Sequence, residues 1–287
     1  MPKRKSQKND EDSSDDSDVS NVDVEFDFCD FKPETDYIAI KRLLQQLLYT
    51  DANLFDLGAI TDLILSQDDV GCTIKTDGPE SDPLSFLAVL NLNIHHSHPA
   101  LANLRDYLLS KISVDKRFHE AIKAVLDASN DASGHLGLII GERVYNMPPQ
   151  VMPPSYQMLQ DEIKWALEDN KPYRFSHYLI LSRIWRASAE EEAEEGSSNS
   201  AARSKRRKTE SVPEGATGPK THSFHPEDEC IQKAAIHSLD FEYSHQEPRT
   251  KESVGTDIAG RVMLIPSSKL GEVVTEMAER FPTPLPP

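Results

Sequence analysis

Cysteine is scarce in this chain: Cys29, Cys72 and Cys230 are all there are, far apart and without CxxC spacing. That argues against a disulfide scaffold or a thiolate metal site and predicts reduced, buried thiols in an intracellular protein. Long apolar runs are also missing. No stretch approaches the ~18 consecutive apolar residues that a membrane-spanning helix needs, and the opening MPKRKSQKND lacks the apolar region of a secretory signal. The 12 glycines never fall into GxGxxG, GxxxxGK[ST] or GxSxG spacing, and HExxH is absent too. Positive charge is in deficit, with 31 Lys plus Arg against 48 Asp plus Glu and a net charge of −17. An acidic surface is a poor match for nucleic-acid phosphates but attracts a basic partner over long range. Solubility alone favours the same sign of charge, so composition leaves both readings open.

What is present is a chain of 287 residues, 38% hydrophobic, long for one domain and with room for two. Its organising stretch is Val70–Asn93. Val70, Cys72 and Ile74 alternate with Gly71, Thr73 and Lys75, the period-two pattern of a strand. Asp77-Gly78-Pro79 breaks the pattern as a turn. Ser81-Asp82-Pro83 then predicts a helix start, with Asp82 as cap and Pro83 in the first turn. Leu84, Phe86, Leu87, Val89, Leu90 and Leu92 leave that predicted helix no face for water, which places it inside the core.

The N-terminal region joins a short basic segment, Lys3-Arg4-Lys5, to the acidic run Asp10–Asp18, too polar to order itself. Ser13 and Ser14 beside Asp15 and Asp16 are candidate phosphosites for an acid-directed kinase. Val22, Val24, Phe26 and Phe28 then alternate with Asp23, Glu25, Asp27 and Cys29, predicting a strand with an acidic outer face. Asp23, Glu25 and Asp27 are the candidate partner-binding residues, although a solvated strand face has the same pattern.

Apolar spacing predicts helices over Ile40–Leu48, from Asn53 as cap through Ile64, from near Pro99 through Leu108, and from Asp115 through Leu126. Leu136–Ile140 reads as a strand covered on both faces. A helix from Ser155 and a strand over Tyr173–Arg186 follow. Beyond the break lie an alternating Leu239, Phe241 and Tyr243, a buried strand at Val262–Ile265, and a closing helix after Ser267. The final FPTPLPP suits polyproline II rather than helix.

Residues 190–220 form the break, a Glu-, Ser- and Gly-rich insertion. It carries the sharpest local signal, Arg203, Lys205, Arg206, Arg207 and Lys208, a dense basic block in a polar linker. Such a block suits the acidic groove of a nuclear-import receptor. The predicted organisation is therefore a tail over 1–20, one domain over 21–281 interrupted by the insertion, and a Pro-rich tail over 282–287.

No residue set nominates a catalytic chemistry. His95-His96-Ser97-His98 lacks a separated second ligand pair and reads as a polar loop. Glu120 and Asp161 read as helix-surface acids, His177 as a hydrogen-bonded core histidine, and Trp165 and Trp185 as packing residues. Catalytic, cofactor-binding and metal sites are all expected to be absent.

Several segments together are similar to the BCCIP family, nuclear proteins of eukaryotes: Val70–Asn93, GLIIGERVYNMPPQVMPP (Gly137–Pro154), FHPEDE (Phe224–Glu229) and RVMLIPSSK (Arg261–Lys269). With the element order, the resemblance implies an α/β (α+β) fold: a mixed sheet flanked by helices on both faces, like the Gcn-five-related acetyltransferases (GNAT). The acyl-CoA loop of that fold, Arg or Gln, two residues, Gly, one residue, then Gly or Ala, matches none of the glycines. Gly134 and Gly137 come nearest, with Asp131 where an acid would repel phosphate. The resemblance further implies a non-enzymatic nuclear chaperone or adaptor without cofactor. Its implied client is the universal large-subunit ribosomal protein L-fourteen, and its implied export cargo in fungi is a lipid kinase. A GNAT-like acyltransferase with a divergent cofactor loop is the alternative.

Overall fold

The structure is a computed structural model, and it describes residues 24–67, 69–127, 134–186, 221–246 and 256–282. The acidic run, the basic block and the Pro-rich end lie outside these residues. Among the described residues, eight strands form one sheet: β1 (Asp27–Cys29), β2 (Cys72–Lys75), β3 (Ser85–Asn91), β4 (His135–Arg143), β5 (Phe175–Arg186), β6 (Thr221–Ser223), β7 (His237–Phe241) and β8 (Asp257–Pro266). The order is β1-β2-β3-β4-β5-β8-β7, with β6 pairing the far end of β5. Every pairing is antiparallel except β4 with β5, which are parallel. A parallel pair needs a crossover, and the helix α5 (Met152–Glu168) supplies it.

Apolar alternation divides the sheet between two cores. On one face lie α1 (Pro33–Leu48), α2 (Leu57–Leu65), α3 (Pro99–Ile112) and α4 (Lys116–Leu126), packed on Phe86, Ala88, Leu90, Leu138 and Ile140. The other face carries α5, α6 (Asp228–Ala234) and α7 (Leu270–Arg280), packed on Leu87, Val89, Ile139, Ile180 and Met263. A mixed sheet with helices on both faces is thus observed.

The stretch over Leu84–Leu92 corrects the predicted central helix: it is the strand β3, buried at all seven positions. A run that is apolar on every side fits a helix inside a core and a strand between two layers equally well. Two layers exist here, and successive side chains of β3 alternate between them. The turn before it behaves as expected, with Gly78 at φ 81, so β2 and β3 form a hairpin with Thr73 opposite Phe86.

Smaller differences have local causes. Tyr49 leaves α1 at φ 47, the next residues form a 3-10 turn, and Asp56, not Asn53, caps α2 through the Ala59 N–H at 3.0 Å. Asp115 caps α4 as predicted. The apolar spacing does not predict α6. Trp165 is 59% exposed on α5 rather than packed, whereas Trp185 stacks on His222 with centroids 4.4 Å apart. β1 is shorter than its alternating pattern; Phe26 and Phe28 pack toward the second core as that pattern requires.

Candidate functional site

Two features stand out, one on the surface and one buried. The first is an acidic rim around the sheet edge formed by β1. Glu25, Asp30 and Glu34 are exposed and Asp27 is half-buried, while Asp77, Glu80 and Asp82 project from the adjoining β2–β3 turn. The local cations do not offset them. Lys75 is drawn inward: its Nζ lies 2.7 Å from Asp36 Oδ1 and donates to the Pro79 carbonyl at 2.7 Å, with both side chains at 0% exposure. Asp36 also accepts the Lys32 backbone N–H at 2.9 Å and the Thr35 hydroxyl at 2.9 Å. The Lys32 side chain is engaged by Glu80. Among the described residues, no cation pairs with Glu25, Asp27, Asp30, Glu34, Asp77 or Asp82. A field of one sign with its counter-charges removed steers and docks cationic surfaces.

The second feature is a fork in the sheet. β4 and β5 pair from His135 with Phe175 to Ile139 with Ile180, and that register ends there although both strands continue. Beyond this point β4 stays on β3, and β5 stays on β8 and β6. Phe224–Glu229, which follows β6, fills the gap. The Phe224 N–H donates to the Arg183 carbonyl at 2.9 Å, and the Arg183 guanidinium lies 3.8 Å over the Phe224 ring. His225 bonds Glu142. Glu227 takes Arg143 in a two-bond fork, Nε to Oε1 at 2.8 Å and Nη2 to Oε2 at 3.0 Å. The Ser182 hydroxyl donates to Asp228, and Arg183 Nε donates to Glu142 at 2.9 Å. Arg143 Nη1 also holds the Met147 carbonyl at 2.6 Å.

All of these charged side chains are buried, so each depends on its partner. Burial opposes the charge on Glu142, but His225 and Arg183 outweigh it and hold the carboxyl below the usual range. Burial likewise opposes the charge on His225, but the bond and charge of Glu142 outweigh it and raise its pKa. Among the described residues, Asp228 has no such cation in hydrogen-bond contact, and burial pushes its carboxyl up to about 7. In the sequence, FHPEDE and GLIIGER stand only as marks of family resemblance. The available signal was charge interrupting apolar strands, in Glu142-Arg143 and in Arg183 within LILSRIW.

The other sequence candidates do not converge. Of Asp23, Glu25 and Asp27, the last two sit on the rim and Asp23 lies outside the described residues. The same is true of Ser13, Ser14, Arg203, Lys205, Arg206, Arg207 and Lys208. In the histidine loop, a ring nitrogen of His96 contacts the Asn93 carbonyl at 2.8 Å. His177 contacts Ser176 Oγ at 3.1 Å, and burial lowers its pKa. Glu120 is exposed and Asp161 half-buried, both on helix surfaces. Gly134, at φ 81, packs so closely on β5 that a Cβ there would lie 2.8 Å from Ser176 N.

Comparison with known proteins decides the family. The BCCIP family model matches residues 21–231. The chain belongs to the BCCIP family. Relatives include Protein bcp1 of Aspergillus fumigatus, 37% identical over 96% of this chain and 93% of the relative. Protein bcp1 of Schizosaccharomyces pombe is 35% identical over 93% of this chain and 92% of the relative. Among solved structures, that of BCP1 from Saccharomyces cerevisiae superposes with a TM-score of 0.62 at 26% identity, covering 94% of this chain and 93% of that one. The BCCIP match therefore spans the rim, the fork and the filling segment alike.

Proposed function

We propose that this chain is a non-enzymatic nuclear chaperone and adaptor for a basic client, the large-subunit ribosomal protein L-fourteen. One observation carries the reading: the rim's acids face outward while Lys75 and Lys32 are tied to Asp36 and Glu80. A ribosomal protein free of RNA exposes Lys and Arg clusters that otherwise face phosphates. An acidic, shaped surface shields them and discriminates among basic proteins. Escort of that client supports ribosome biogenesis, and export of a lipid kinase extends the adaptor role.

The acetyltransferase-like reading of the fold draws support from the single parallel pair β4–β5 and the fork beyond it. Two features favour loss of acyl-CoA chemistry on that scaffold. The segment Phe224–Glu229 occupies the fork. The first turn of α5, Met152-Pro153-Pro154, also lacks the two proline N–H groups that a pyrophosphate would need there. Calorimetry with acyl-CoA is expected to show no binding, and saturable heat would favour the acyltransferase alternative.

The client reading is tested by stopped-flow association with the basic protein across a salt series. Removing Asp10–Asp18 is expected to slow association by about tenfold and flatten its salt dependence while retaining most of the affinity. Replacing Asp23, Glu25 and Asp27 together is expected to speed dissociation. An association rate indifferent to salt would defeat the reading.

For nuclear entry, we assign the import signal to Arg203, Lys205, Arg206, Arg207 and Lys208. Alanine at all five positions is expected to shift the protein to the cytoplasm with an unchanged melting temperature. Undiminished nuclear accumulation would transfer the role to Lys3-Arg4-Lys5 or to a carried-in complex.

A further inference from the structure

The buried fork contains more acid than its arginines neutralise. Arg143 and Arg183 contribute two positive charges, while Glu142, Glu227 and Asp228 contribute three negative ones, and His225 is the remaining titratable group among them. Each arginine is committed: Arg143 to Glu227 and the Met147 carbonyl, Arg183 to Glu142 and the Phe224 ring. With His225 neutral and Asp228 ionised, the cluster would be a buried net anion. A proton on either group makes it neutral. A buried cluster strongly favours the neutral state, because an uncompensated charge out of water is costly.

Among the described residues, no unpaired cation compensates: Arg261 of β8, opposite Ser182 in the register, is taken up by Asp240 in a two-bond fork at 2.6 and 2.9 Å. From α5 the cluster is faced by the Tyr156 hydroxyl, from β5 by Ser182, and from the segment after β7 by Tyr243, none of them cationic. The adjoining cavity, about 30 Å³, is lined by Glu142, Arg143, Ser182, His225, Glu227 and Asp228. That is room for a water or two and for no larger ligand.

We propose that this cluster is a proton-binding site: His225 and Asp228 between them hold at least one proton up to neutral pH, and release of the last one loosens residues 224–231 from the fork. The site would make the anchoring of this segment responsive to pH, independently of what the acidic rim binds. The direction follows from linkage. Asp228, raised to about 7, holds a proton that an unfolded aspartate has already released, so its contribution to stability falls as pH rises toward 7. His225, also raised, contributes stability below the ordinary histidine range and loses it as pH climbs through its folded value. His95 and His177, both lowered chiefly by burial, act in the opposite sense below that range. The test therefore compares variants with the parent at each pH.

Urea unfolding of the full chain is measured from about pH 5.5 to 8 for the parent, Asp228→Asn and His225→Gln. Relative to the parent, the folding constant of Asp228→Asn is expected to rise by up to about tenfold per pH unit below pH 7. That of His225→Gln is expected to gain on the parent above about pH 6.5. Ratios that do not change with pH would overturn the proposal. If either variant fails to fold, the parent alone decides through hydrogen exchange. Protection of α6 amides, referenced to β8, is expected to fall as pH rises through neutrality, and constant relative protection would overturn it.

Discussion

Replacing Asp36 with alanine is expected to destabilise the fold by about 3–5 kcal/mol, the cost of leaving one member of a buried ion pair without its partner. Lys75 is the group left stranded. Its ammonium would keep only the Pro79 carbonyl, in a site with no access to water. The pair also ties the first turn of α1 to the end of β2, so its loss should open the sheet edge that carries the acidic rim. If desolvation of Lys75 is the cause, Asp36→Ala combined with Lys75→Met should recover most of the loss, since a well-packed apolar pair avoids the buried charge. Denaturant unfolding of both variants checks this. A double variant no more stable than the single would place the cost in helix capping, through the Lys32 N–H and Thr35 contacts of Asp36.

Replacing Glu227 with alanine is expected to cost a similar ~3–5 kcal/mol by the same mechanism, with Arg143 as the stranded group. The Met147 carbonyl would remain its partner. The effect should begin locally. Exchange protection should fall first in α6 and at the Phe224–Arg183 contact, because Glu227 fastens the segment that fills the fork. Urea unfolding together with residue-resolved hydrogen exchange checks both parts. Uniform loss of protection across β3 and β8 would mean that the segment is integral to the core rather than latched onto it.

Much of the fold is legible in the sequence wherever one face of an element meets water. Helices α1, α3, α4, α5 and α7 announce themselves by apolar spacing, and Asp115 by its capping position. The reading fails where both faces are covered. Leu84–Leu92 has no polar side to reveal its period, and only the second layer of helices makes it a strand. α6, with seven residues, is too short to show a period. The rim is half legible: alternation marks Glu25 and Asp27, whereas the withdrawal of Lys75 into the core depends on a contact with Asp36, distant in sequence. The fork was recognisable only as a resemblance. Its charges come from separate strands and acquire meaning when β4 and β5 diverge.

The central claim is that the acidic rim receives a free basic ribosomal protein. A tagged pulldown from nuclear extract, washed at low and at high salt, tests it most directly. The account predicts one basic large-subunit ribosomal protein, free of ribosomal RNA and of other subunit proteins, retained at low salt and depleted at high salt. Recovery of whole subunits, or of no basic protein at either salt concentration, would contradict it.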